Sequence, residues 1–257
     1  MRIPRFMAGV EQRRAMMALL QGRFAEAEVH AVEAVTLQPL PEFLEGYAAQ
    51  MFALRLEQGR LVEVAGEVEH WAAQDPRRVG ARAGAAARRA GRPGRCAGLM
   101  APMAATGFES VPRDELFFLS LSVAAWTVVR LGDRTSAEAL YELLSPHASR
   151  VVVAAEGAVC WGSVHRFLGP LSVLIDGGRR AAMHFEAAIS IHERLGARPF
   201  LARDRLGSRS SCETRAVIPC ASRSCSVPPW LSQVGWGSPP RSHRCRDPQP
   251  RARRATR

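Results

Sequence analysis

Apolar side chains recur at steps of three and four along much of this chain, and glycines interrupt them at wide, fairly even intervals. Phe24, Ala27, Ala31, Ala34 and Val35 share one face when drawn on a helix. Ala181, Phe185, Ala188 and Leu195 do the same over 180–195, and Leu140 sits on the apolar face of the stretch that follows Gly132. Asp114, after Pro112, reads as the N-cap of a helix over 115–131, and Thr135 with Glu138 reads as a capping box for the next one. The apolar residues are mainly Ala, Leu and Val, with only 2 Tyr and 10 Phe, a balance that favours helices packed through small side chains, so an all-α chain is expected.

The glycines give the organisation. Leu19-Leu20-Gln21-Gly22-Arg23-Phe24, Leu56-Glu57-Gln58-Gly59-Arg60-Leu61, Val129-Arg130-Leu131-Gly132-Asp133 and Leu174-Ile175-Asp176-Gly177-Gly178-Arg179 are versions of one phrase, with a weaker copy at Ala90-Gly91-Arg92-Pro93. In each, a helix ends at a glycine able to take the left-handed conformation, and a second helix begins shortly afterwards. The successive intervals, Gly22 to Gly59, Gly59 to Gly91, Gly91 to Gly132 and Gly132 to Gly178, are 37, 32, 41 and 46 residues. Such a period marks a stack of antiparallel helical hairpins, an α-solenoid. Gly22, Gly59, Gly132 and Gly178 are the expected turn positions. Phe24, Ala27, Ala31, Leu140, Phe185 and Ala188 are the expected packing positions.

Two segments depart from this pattern. Residues 79–105 keep helix-forming Ala but lose large apolar side chains, which predicts a degenerate helix pair burying little. From about Gly207 the chain turns to Ser, Arg, Pro, Gly and Cys, which predicts a disordered basic tail over 207–257 beyond a helical domain over 10–206. The same switch is what an out-of-frame reading of a GC-rich gene yields, and a chain whose 35 basic residues are all Arg fits such a gene.

Charge changes the picture less than its total suggests. Of the formal +11, the 11 arginines from Arg205 onward, set against Glu213 and Asp247, carry +9, so the helical part is nearly neutral. The tail, with Arg251, Arg253, Arg254, Trp230 and Trp236, invites weak non-specific contact with nucleic acid, which makes a nucleic-acid-associated protein the alternative reading. No apolar run reaches transmembrane length, and charge enters the N-terminus before a signal region can form, so the expected setting is cytoplasmic. Free thiols follow for the six cysteines.

Candidate chemistry is thin. His184 and His192 lie eight residues apart, about 12 Å along a helix, too far to share a metal, and read as surface or half-buried rings. Cys212, Cys220, Cys225, His243 and Cys245 lack the short Cys pairs of a zinc site. Ser163 and His165 have no visible acid or oxyanion hole. Without Lys there is no phosphate-binding loop of the Gly-x-x-x-x-Gly-Lys type. No catalytic residue, cofactor or metal is expected.

The phrases Gln21-Gly22-Arg23-Phe24-Ala25-Glu26-Ala27-Glu28, Ala139-Leu140-Tyr141-Glu142-Leu143-Leu144-Ser145-Pro146 and His184-Phe185-Glu186-Ala187-Ala188, with Glu193-Arg194-Leu195-Gly196-Ala197-Arg198-Pro199, resemble the tetratricopeptide-like C-terminal repeats of large bacterial regulators. These are the MalT-like ATPases of the LuxR class and their relatives linked to adenylate cyclase domains. The resemblance spans roughly residues 10–206. It implies a non-catalytic interaction and regulatory region whose partner is another protein or a parent nucleotide-binding domain. The concave face of the first helices is the expected binding surface. The array starts inside one repeat and stops inside another, so self-association through uncapped ends is a further expectation.

Overall fold

Each glycine of the recurring phrase closes a helix in the left-handed region. The φ angles are +78° at Gly22, +75° at Gly59, +73° at Gly91, +73° at Gly132, and +70° and +88° at Gly177 and Gly178. The computed structural model describes residues 4–217, apart from the side chains of 76–79 and 210–217. Within them the chain is all-α but for one small hairpin. Its helices are α1 (Pro4–Leu20), α2 (Phe24–Leu37), α3 (Pro41–Glu57), α4 (Ala65–Gln74), α5 (Pro76–Arg89), α6 (Pro93–Ala104), α7 (Phe117–Leu131), α8 (Arg134–Leu144), α9 (His165–Asp176), α10 (Ala181–Leu195) and α11 (Arg198–Val217). Short 3-10 turns lie at Leu61–Val64 and Ser145–His147.

Successive helices pack as hairpins, α1 on α2, α5 on α6, α7 on α8, α9 on α10 and α10 on α11. Alternate helices line up behind them, with α1 against α3, α5 against α7 and α7 against α9. The stack curls far enough that α11 returns to α1 and α3. Pro199 lies over the Gly22 turn, and Arg203 of α11 is ion-paired with Glu57 of α3. The first and last helices of the described stack therefore touch each other.

Three expectations need correction here. The cap of α8 is Asp133, whose carboxylate accepts the Ser136 N–H at 3.2 Å; Thr135 lies inside the helix. The left-handed turn at Gly132 leaves Asp133 already extended, as an N-cap must be, so the helix starts two residues early. Asp114 accepts the Leu116 N–H at 2.9 Å in a local turn, and α7 begins only at Phe117. Residues 207–217 continue α11 to Val217, past the expected tail boundary, while 218–257 lie outside the described residues.

Residues 79–105 form α5 and α6 and bury more than their small side chains suggested. Gly80 and Gly84, one turn apart, present bare backbone to α6. A Cβ on Gly80 would meet Leu99 O at 3.1 Å, and one on Gly84 the Met100 side chain at 3.1 Å. The missing side chains let the helices approach closely, and Met100, Met103 and Cys96 fill the seam.

The hairpin was not expected. Strands β1 (Val151–Ala154) and β2 (Val159–Ser163) pair antiparallel, with a bulge at Trp161 between the Val152–Gly162 and Val153–Cys160 pairs. They account for the longest glycine interval, Gly132 to Gly178. Every residue of β2 is buried, because the strand enters the middle of the curled stack and touches α1, α3, α9 and α10.

Candidate functional site

The concave face expected to bind a partner is occupied by this hairpin. Gln50 of α3 donates from Nε2 to Ala158 O and Gln12 O, both at 2.7 Å, while Gln12 Nε2 donates to Phe43 O at 3.3 Å. Gly46 lies against the turn, where a Cβ would sit 3.0 Å from that of Ala158. Trp161 stacks on Phe52 with ring centroids 6.0 Å apart. The inner wall is thus a socket for the chain's own strands.

His192 locks β2 into that socket. The ring is fully buried, which corrects the surface reading, and its Nε2 accepts the Ser163 backbone N–H at 2.8 Å. The ring proton therefore sits on Nδ1, which donates to Asp204 of α11 at 2.5 Å. Serine, histidine and aspartate meet here as residue types, yet the contact runs through the serine backbone. Ser163 Oγ instead accepts the His165 N–H at 3.2 Å, and its side chain has no exposure. With Nε2 engaged by a backbone donor, the imidazole has no lone pair for the hydroxyl proton. The arrangement ties three elements together.

His184 is also buried, again unlike the sequence reading. Its Nδ1 lies 2.9 Å from His165 Nδ1, one ring donating and the other accepting, and its Nε2 lies 2.9 Å from Tyr141 OH. Arg180 sits over the Tyr141 ring at 4.3 Å and is held by Asp176 at 2.8 Å. Burial first, then the neighbouring His165 and Arg180 charges, push His184 down to about 4. Burial pushes His165 down too. The pair is invisible in sequence spacing, since 19 residues separate the rings and only the packing of α9 on α10 joins them.

Glu11, His30 and Glu33 place one ligand atom each within 4.8 Å of one another. Arg14 holds one Glu11 oxygen at 2.7 Å and His30 Nδ1 lies 2.6 Å from the other, so both oxygens of Glu11 are already engaged by side chains of α1 and α2.

Of the expected packing positions, Ala27, Ala31, Leu140, Phe185 and Ala188 are buried, and Phe24 is half-buried against the core. The Cys220, Cys225, His243 and Cys245 positions, the Arg251–Arg254 run, Trp230 and Trp236 lie outside the described residues, and the Cys212 side chain is not described. Sequence reasoning missed a run of exposed apolar side chains along α2 and its turn into α3: Val29, Val32, Leu37, Leu40 and Leu44. Val29 is 63% exposed and Leu44 48%. Among the described residues no helix is long and apolar enough to cross a membrane. No family model, curated protein or solved structure matches this chain.

Proposed function

We propose that this chain is a non-catalytic tetratricopeptide-like scaffold that binds another protein through the outer face of α2 and the α2–α3 turn. The observation that carries the reading is the apolar run Val29, Val32, Leu37, Leu40 and Leu44, exposed on a helix whose opposite face is packed. Exposed apolar side chains gathered on one helix and the turn after it are the kind of surface that protein interfaces cover. The socket supports the same reading, because the hairpin fills the space where a repeat array otherwise receives a ligand. The repeat phrases extend the proposal to a cytoplasmic regulatory region of a bacterial signal-transduction or transcription-regulating ATPase. The contact between α1 and α11 opposes self-association through those two helices.

Comparing proteins captured from the source cells by the full chain and by a Val29→Asp/Val32→Asp variant tests the reading. A partner held by the first and lost by the second, with unchanged circular dichroism, supports it. Equal capture by both overturns the assigned surface, and ATP turnover by the purified chain would replace the scaffold by an enzyme.

A further inference from the structure

His165 opens α9, His184 lies near the start of α10, and the two helices pack against each other. Their rings are tilted by 42° with centroids 5.2 Å apart, and the two Nδ1 atoms are 2.9 Å apart. Two nitrogens held by one metal ion at about 2.0–2.1 Å stand about 2.9 Å apart when the angle at the metal is a right angle. Tetrahedral ligation would need about 3.3 Å. The pair is therefore spaced as neighbouring ligands of an ion that prefers right angles, as Cu(II) and Ni(II) do. Without metal, one proton lies between the nitrogens. A turn of each ring about its Cβ–Cγ bond directs both lone pairs to one point.

The surroundings suit a ligand role. His184 Nε2 lies 2.9 Å from Tyr141 OH. With the ring proton on Nε2 and donated to the phenol oxygen, Nδ1 is left as the metal-binding atom, and such a hydrogen bond from the far nitrogen is the usual support of a ligating histidine. His165 is positioned through its backbone N–H, which Ser163 Oγ accepts at 3.2 Å. Each ring carries one proton before and after binding, so no net proton release is needed. The rings of His165 and Tyr141 are half-buried, so solvent reaches the rim and water can fill the remaining ligand positions. Arg180 opposes a cation here, 4.3 Å over the Tyr141 ring, and Asp176 at 2.8 Å balances its charge.

We propose that His165 and His184 form a binding site for a divalent transition-metal ion of the Ni(II) or Cu(II) kind, with Tyr141 as the positioning residue for His184. The ion joins α9 to α10 at the end of β2, where the strand runs into α9. The site uses no residue of the apolar surface on α2 and does not depend on it. It is also distinct from the Glu11, His30 and Glu33 group, where both Glu11 oxygens are already engaged.

Calorimetric titration of the untagged full chain with Ni(II) near neutral pH tests this, with Mg(II) as the oxygen-seeking control. The expected result is saturable one-to-one binding that Mg(II) does not displace, weakened about tenfold or more by His165→Gln and by His184→Gln. Tyr141→Phe leaves both ligands in place and should still weaken binding about tenfold, through loss of the partner of Nε2. Ni(II) should raise the melting temperature of the wild type and leave that of His165→Gln unchanged. Glu33→Gln, and a Cys212→Ser/Cys220→Ser/Cys225→Ser/His243→Gln/Cys245→Ser variant, should bind as the wild type does. The His165 ring is half-buried, so its variant reads the site even where His184→Gln fails to fold. No binding at millimolar Ni(II), wild-type affinity in His165→Gln, displacement by Mg(II), or loss of binding only in the Glu33 or cysteine variant would each overturn the proposal.

Discussion

Glu57 at the end of α3 and Arg203 on α11 are ion-paired across 146 residues of chain, and Arg166 at the start of α9 approaches the same carboxylate to 3.6 Å. All three side chains are nearly or fully buried. Arg166 also donates to Trp161 O at 3.2 Å and lies 4.0 Å over the Phe200 ring, so one carboxylate links α3, α9, α11 and the inserted hairpin. Burial pushes Arg166 down to about 10, with Glu57 acting upward and Arg203 downward. Glu57→Gln should therefore leave two buried guanidinium groups facing each other, at a cost of about 3–5 kcal/mol. A clear fall in the urea midpoint checks this; a midpoint within experimental error of wild type would mean that the stack does not close through this pair.

The helical hairpins were legible because their signal is local. A helix end that turns through the left-handed region calls for glycine whatever packs around it, so Gly22, Gly59, Gly91 and Gly132 announce themselves. The hairpin was not, although Val151-Val152-Val153 is a β-branched run. All of β2 is buried on both faces, so no alternation appears, and its turn runs through Ala155 and Glu156 at positive φ before Gly157, without an Asn-Gly or Asp-Gly signature. His192 and Asp204 were illegible as a pair for a further reason. Their roles depend on where α11 returns, which is a property of the curvature of the whole stack.

Glycine substitutions separate turn chemistry from socket packing. Gly91 (φ +73°) faces open space, with nothing within 4 Å of where a Cβ would stand, so Gly91→Ala should lose only the left-handed preference, about 1–2 kcal/mol. Gly162 (φ +88°) would in addition drive its Cβ to 2.7 Å from His192 Nε2 and 2.9 Å from the Phe200 ring. Gly162→Ala should thus cost about 1–3 kcal/mol more than Gly91→Ala. Urea unfolding of the two variants compares them directly, and equal losses would show that β2 is not clamped between α10 and α11.

The imidazole pair gives the fold a defined acid limit. An unfolded His184 titrates near 6.5, whereas the folded ring is held at about 4, so between those values the unfolded chain takes up a proton that the folded chain refuses. Stability should be independent of this group above pH 6.5. It should then fall as pH drops toward 4, with a limiting slope of about 1.4 kcal/mol per pH unit for one ring. Asp176 and Arg180 face the same cluster, so the measurement belongs at constant ionic strength. His184→Gln, which keeps a polar partner for Tyr141, should flatten the melting-temperature profile between pH 6.5 and 4; an unchanged profile would assign the acid sensitivity elsewhere.

The two described cysteines report on the interior without a catalytic assay. Burial pushes Cys96 up to about 11, against a smaller downward pull from Arg88. Burial also raises Cys160, opposed by a Gly162 backbone hydrogen bond and by Arg166. At pH 7.5 the thiolate fraction of Cys96 is then about three in ten thousand, and neither sulfur is accessible in the folded chain. Maleimide labelling followed by peptide mass mapping should find both unmodified in native buffer and both modified in urea. Because Cys160 lies on β2 inside the curled stack and Cys96 in the α5–α6 seam, native labelling of Cys160 with Cys96 still protected would mean that the hairpin leaves its socket while the helices stay packed. Joint protection of the two thiols is the outcome expected if the strands unfold only with the helices around them.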